Sequence, residues 1–174
     1  MSTQSANDLA RFQTALRRVQ LLVLDVDGVL TDGRLFYGAK GEALKAFHVR
    51  DGHGIKQISA VGITVAIISG RKSAAVAQRA RELGIRHVTQ GAKDKLAALT
   101  RLAKSRKVPL ENCACVGDDT PDAPILEIAG LAIAVADAHA DALAAADLVT
   151  SRPGGHGAVR EVCDWLLDAR RMQA

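Results

Sequence analysis

The stretch Leu21-Leu22-Val23-Leu24-Asp25-Val26-Asp27-Gly28-Val29-Leu30-Thr31-Asp32-Gly33 decides the fold. Consecutive apolar residues with no polar face read as a strand covered on both sides, the habit of parallel sheets. The run then breaks into two aspartates and a glycine, which marks a strand end opening into a turn. Similar apolar runs recur at residues 65–68, 113–116 and 131–135. Between them lie Ala-rich, Leu-spaced stretches of helical character at residues 73–83, 94–105, 121–129 and 138–146. Thr120 stands as an N-cap before Pro121, and Gly84 and Gly130 sit where helices should stop. The alternation predicts an α/β fold, a Rossmann-like, mainly parallel sheet with flanking helices.

One region departs from that rhythm. Residues 34–49 alternate and contain Gly38-Ala39-Lys40-Gly41-Glu42, which reads as the turn of a β-hairpin inserted after the first strand. Only about thirty residues separate the first acidic run from the strand at 65, room for a hairpin and one helix but for no cap domain. With no linker or repeat, residues 1–174 are expected to form a single capless domain. A chain of this length buries roughly 70% of its unfolded surface and needs no disulfides. The three cysteines fit that expectation, since the count is odd and Cys113 and Cys115 lie in an apolar run, both thiols on one strand face.

A net charge of +4 with only 3% aromatic residues gives no basic stripe with stacking platforms, so no nucleic-acid partner is expected. A small anionic substrate suits that charge. No run approaches the ~20 apolar residues of a membrane span. The first twenty residues carry Asp8, Arg11, Arg17 and Arg18 and lack a signal-peptide core, so no membrane partner and a cytoplasmic location are expected.

Ligands of open α/β sheets sit beyond the carboxyl ends of the strands. There the sequence places Asp25 and Asp27, then Ser69-Gly70-Arg71-Lys72, then Gly117-Asp118-Asp119-Thr120-Pro121-Asp122. Carboxylates gathered at one edge repel one another and call for a cation. Magnesium takes one or two carboxylates with waters and substrate phosphate, which points to Asp25 and Asp118 with a backbone carbonyl near Asp27. No His-x-x-x-His or Cys-x-x-Cys pair has zinc spacing. Gly154-Gly155-His156-Gly157 is a loop signal rather than a dinucleotide fingerprint.

Asp-Val-Asp-Gly-Val-Leu-Thr-Asp-Gly, Ile-Ser-Gly-Arg, a lysine at 95 and Gly-Asp-Asp-Thr-Pro-Asp, in that order, resemble the motif set of the haloacid dehalogenase superfamily. Lys45-Ala46-Phe47-His48-Val49-Arg50-Asp51-Gly52-His53-Gly54, Val135-Ala136-Asp137-Ala138-His139 and residues 154–161 extend the likeness to its capless sugar-acid phosphatases. The resemblance implies a haloacid dehalogenase-type fold with a hairpin in place of a cap, and a Mg2+-dependent phosphomonoesterase. Asp25 would be the nucleophile and Asp27 the general acid and base, with Ser69 and Lys95 on the phosphate. The metal would rest on Asp25, Asp27 and Asp118. Substrate contacts would come from His48, Val49, Arg50, Asp51 and Gly52, from Asp27 and Lys95, and from Arg71 and Arg79. Lys56 stands where relatives often carry arginine. Asp122 is expected either to steady Lys95 or a metal-bound water, or to be an exposed first-turn residue; Asp119 is left open. Capless relatives are tetramers, so a homotetramer with the 34–49 hairpin at its interface is expected. Two other readings stay open at this point. One is a phosphatase for a sialic-acid-type 9-phosphate; the other is a receiver-like phosphoaccepting domain, disfavoured because Asp27 follows Asp25 by two residues.

Overall fold

In the computed structural model, residues 10–39 and 41–171 are described; Asp8 and Lys40 of the expectations above lie outside them. Helix α1 (Gln13–Arg18) leads into β1 (Leu21–Leu24), followed by the hairpin strands β2 (Phe36–Gly38) and β3 (Gly41–Leu44). Then come α2 (Val49–Ala60), β4 (Thr64–Ser69), α3 (Ala74–Leu83), β5 (His87–Gln90), α4 (Lys95–Arg106) and β6 (Cys113–Gly117). The chain ends with α5 (Ala123–Leu126), β7 (Leu131–Ala134), α6 (Ala140–Ala144), β8 (Leu148–Val149) and α7 (Ala158–Arg171).

The main sheet has the order β5-β4-β1-β6-β7-β8, and every pairing in it is parallel. The chain builds outward from β1 through β4 to β5, then returns to β1's other side for β6, β7 and β8. That reversal makes β1 the switch point where a crevice opens.

The strand faces explain the apolar runs. Leu22, Leu24, Val65, Ile67 and Val116 enter one core with α2 and α7, while Leu21, Val23, Ala66, Ile68, Cys113 and Cys115 enter a second with α4 and α5. Both cysteine thiols thus share a face, and burial raises their pKa, that of Cys113 to about 11. Helix α7 turns Val159, Val162, Cys163, Leu166 and Leu167 inward. It crosses α2 so closely that a Cβ on Gly54 would stand 2.9 Å from that of Cys163.

Several boundaries differ from those expected. The hairpin closes at Leu44, and His48 caps α2 by accepting from the Arg50 amide at 3.2 Å, so Val49 opens a helix rather than ending a strand. The cap before Pro121 is Asp119 rather than Thr120. Its carboxylate accepts from the Thr120 amide at 2.7 Å and begins a 3-10 turn that leads into α5. Gly84 ends α3 in the left-handed conformation with φ 73°, as expected. Gly130 is required for another reason, because a Cβ there would lie 1.9 Å from the Glu111 carbonyl oxygen.

Candidate active site

Asp25 sits one step beyond β1. Its amide donates to the Val116 carbonyl at 3.1 Å, so the β1–β6 ladder carries it to the carboxyl edge of the sheet. The chain then curls, and the amides of Val29, Leu30 and Thr31 converge on the Val26 carbonyl at 3.2, 2.9 and 3.0 Å. The curl needs Gly28, whose φ is +96° and whose missing Cβ would fall 2.0 Å from Asp118 Oδ2. Behind the turn, the Gly155 amide donates to the Val29 carbonyl at 3.0 Å, and the Gly154 amide to Asp137 Oδ1 at 2.9 Å. The glycine loop before α7 is therefore a brace for the Asp25 turn.

Asp25, Ser69, Lys95, Asp118 and Asp122 line one cavity of about 210 Å3, together with Asp27 and Arg71. Lys95, the first residue of α4, is 8% exposed and places Nζ 3.1 Å from Asp25 Oδ1 and 2.6 Å from Asp122 Oδ1. Burial works against its charge, but Asp25 and Asp122 together outweigh that and hold its pKa above the ordinary value. Of the two expectations for Asp122, the buried one is what the structure contains. Asp122 is 1% exposed, and its second oxygen accepts from the amides of Asp118 and Asp119 at 3.2 and 3.4 Å. Asp119 is an exposed cap.

Asp25, Asp118 and Asp122 each offer a carboxylate oxygen within 4.8 Å of the others. Burial pushes Asp25 up to about 6, Lys95 opposing and Asp122 adding to the rise. Asp118 is pushed up to about 8 by burial and then by the charges of Asp25 and Asp122. Asp118 Oδ1 is buried without a hydrogen-bond partner among the described residues. Asp122 is satisfied by Lys95 and two amides, so the oxygens left for a cation belong to Asp25 and Asp118. A hard, oxygen-seeking divalent ion fits that donor set. The Asp27 carboxylate is not in this cluster, which leaves only its main-chain carbonyl for the metal.

The Asp27 side chain turns toward the hairpin. Lys45 Nζ donates to Asp27 Oδ1 and lies 3.3 Å from Glu42 Oε2. Arg71 Nε stands 3.5 Å from Asp27 Oδ2, and its Nη2 reaches Glu42 Oε2 at 3.5 Å and the Tyr37 hydroxyl at 3.3 Å. The Ser73 hydroxyl donates to Glu42 and is the main cause of that carboxyl's lowered pKa. Sequence reasoning missed Lys45 and Glu42 as site residues, because their partners Asp27, Arg71 and Ser73 lie far along the chain and follow no periodicity.

The residues expected to bind substrate separate into groups. Arg71 borders the aspartate cavity. Val49 and Arg79 line an adjoining one of about 350 Å3 with Lys45 and Phe47, and the Arg79 guanidinium lies 6.0 Å over the Phe47 ring. His48, Arg50 and Lys56 border neither, and Arg50 and Lys56 are exposed. Asp51 is 2% exposed, and its Oδ1 accepts from the Arg160 amide at 2.8 Å, completing the start of α7 from outside. Gly52 is shielded, since a Cβ would meet Arg79 Nη2 at 2.3 Å. The fold therefore uses Asp51 and Gly52 in packing.

Asp25 at the switch point, the buried Lys95 beside it and the acidic end of β6 form the arrangement expected of a haloacid dehalogenase-type hydrolase. Residues 86–161 match the haloacid dehalogenase-like hydrolase family. The 3-deoxy-D-manno-octulosonate 8-phosphate phosphatase of Salmonella typhi is 51% identical over 157 residues, covering 90% of this chain and 84% of the relative. That of Escherichia coli K12 is 52% identical over 152 residues, covering 87% and 81%. The Moraxella catarrhalis enzyme, solved with magnesium, phosphate and 3-deoxy-D-manno-octulosonate, superposes with a TM-score of 0.90 at 43% identity, covering 92% of each chain. The cobalt-bound Haemophilus influenzae enzyme gives 0.88 at 44% identity, covering 90% of this chain and 92% of its own. The chain belongs to the family of 3-deoxy-D-manno-octulosonate 8-phosphate phosphatases.

Proposed function

We propose that this protein hydrolyses 3-deoxy-D-manno-octulosonate 8-phosphate to the free sugar acid and phosphate, with magnesium, in the supply of lipopolysaccharide precursor. The observation that carries the reading is the buried Asp25–Lys95 pair with half-buried Asp118 at the switch point, Asp27 lining the same cavity. Asp25 attacks phosphorus as the ester P–O bond breaks, and Asp27 donates its proton to the departing alkoxide. Asp27, now a carboxylate, takes a proton from the water that attacks phosphorus, and the bond to Asp25 breaks to release phosphate. Lys95 and the Ser69 hydroxyl hold phosphate oxygens. Asp25, Asp118 and the Asp27 main-chain carbonyl would hold magnesium, whose charge would offset the repulsion between the Asp25 carboxylate and the phosphate. Arg71 and Arg79 supply charge for the sugar acid.

The reading includes a one-domain capless chain working as a homotetramer in the cytoplasm. Among the described residues no helix is long and apolar enough to cross a membrane. The hairpin exposes Leu35, Phe36, Tyr37 and Leu44, with Val49 just beyond, an apolar surface suited to contact with another copy. In that assembly, His48, Arg50 and Lys56 serve the substrate from the surface of a neighbouring chain. Shortening the turn at Gly38 and Gly41 is expected to weaken assembly and activity together, and a fully active monomer in sedimentation would refute the role.

The test of function is phosphate release from a panel of phosphorylated sugars, with and without magnesium. Selective, magnesium-dependent turnover of 3-deoxy-D-manno-octulosonate 8-phosphate is expected. Preference for a sialic-acid-type 9-phosphate would overturn the substrate assignment.

A further inference from the structure

The two oxygens of Asp27 are treated differently. Oδ1 accepts from Lys45 Nζ. Oδ2 is buried without a hydrogen-bond partner among the described residues, with Arg71 Nε 3.5 Å away. Oδ1 is thus anchored directly, Oδ2 is covered beside Arg71, and the residue borders the cavity that holds Asp25. The anchor is itself held, since the Lys45 side chain is 1% exposed and Glu42 Oε2 lies 3.3 Å from its ammonium. Glu42 belongs to β3 of the hairpin and is fixed in turn by the Ser73 hydroxyl and Arg71.

We propose that Lys45 is a positioning residue, holding Asp27 by Oδ1 and so fixing its carboxyl group beside the cavity that takes the leaving group, with Glu42 holding Lys45. An unanchored aspartate otherwise moves among the staggered χ1 wells and turns broadly about χ2. A proton donor works only within hydrogen-bond reach of the atom it protonates. The hairpin thus does more than present an outer surface: through Glu42 and Lys45 it sets the geometry of proton transfer. This role rests on Asp27 being the proton donor.

Leaving-group chemistry separates this role from a structural one. An alkyl phosphate leaves as a strong base and needs its proton, whereas 2,4-dinitrophenyl phosphate leaves without one. The comparison is kcat/KM, which reports the first phosphoryl transfer, for Lys45→Met, Lys45→Arg, Glu42→Gln and Asp27→Asn. Misplacing a catalytic group by about 1 Å costs on the order of 100-fold. Lys45→Met is therefore expected to lose roughly 10- to 100-fold on the sugar phosphate and less than about 3-fold on the dinitrophenyl ester. Lys45→Arg restores most of the loss, and Glu42→Gln shows the same pattern more weakly. Equal losses on both esters for Lys45→Met, or none on either, would overturn the proposal. If Asp27→Asn discriminates between the esters and Lys45→Met does not, only the role of Lys45 falls. If Asp27→Asn treats both alike, the proton-donor reading falls with it.

Discussion

Gly28→Ala tests how the Asp25 turn is tied to Asp118, the residue proposed to share the metal with Asp25. Two costs follow from the φ of Gly28 and its close approach to Asp118. Alanine at φ +96° is strained by roughly 1–2 kcal/mol, which for a chain this size lowers Tm by about 2–8 °C. The second cost falls on Asp118. The new methyl would stand 2.0 Å from Asp118 Oδ2, and ordinary contact begins near 3.4 Å, so the carboxylate must retreat by about 1.4 Å. The Asp118 backbone cannot follow, because its amide is held by Asp122 and it directly follows β6. Magnesium demands near-octahedral oxygens at about 2.0–2.1 Å, so such a shift is expected to raise the magnesium needed for half-activation roughly 10- to 100-fold. Gly62→Ala is the control, since its φ is +87° but nothing lies within 4 Å of the added atom. The assay is phosphate release over a magnesium titration, paired with thermal denaturation with and without the ion. Both variants should lose stability, and only Gly28→Ala should shift the magnesium curve. An unchanged curve for Gly28→Ala would refute the coupling.

Lys95→Met leaves the buried carboxylates Asp25 and Asp122 without their cation, a loss of about 3–5 kcal/mol, or on the order of 10 °C in Tm. Magnesium should restore part of that stability while activity stays lost; a variant as stable as the parent without magnesium would refute this. Asp51 has its pKa raised chiefly by burial, so the folded state holds this proton more tightly than the unfolded chain does. Its contribution to stability is therefore fully present below the ordinary carboxylate value of 3.8 and lost as pH rises through the raised folded value. Asp51→Asn, which still accepts from the Arg160 amide, should gain on the parent across that window when Tm is followed against pH. A constant difference would contradict the assignment.

The strands that could be read in advance were those buried on both faces, β1, β4, β6 and β7, because full burial writes an unbroken apolar run. β5 and β8 are edge strands, and residues such as Thr89 and Val149 remain exposed, so no comparable run marks them. Helix α7 was not among the helices read in advance, although Val159, Val162, Cys163, Leu166 and Leu167 carry helical spacing behind the glycine loop. In the site, Asp25, Ser69 and Asp118 were legible because strand ends determine where such groups meet, while Lys95 was legible only through the resemblance of the ordered motif set. Asp122 beside Lys95, 27 residues away, was one of two open expectations, whereas the Lys45–Asp27 pair, 18 residues apart, was not expected and only the folded chain brings it together. Asp51 shows the opposite case: a motif aspartate whose oxygen the fold spends on the start of α7.

The central claim is that Asp25 accepts the phosphoryl group. Substrate labelled at phosphorus, quenched in denaturant during turnover and followed by peptide mapping, tests it directly. Label should appear on the peptide containing Asp25 and be absent from Asp25→Asn, which should also stop releasing phosphate. An unlabelled protein together with a fully active Asp25→Asn would contradict the account.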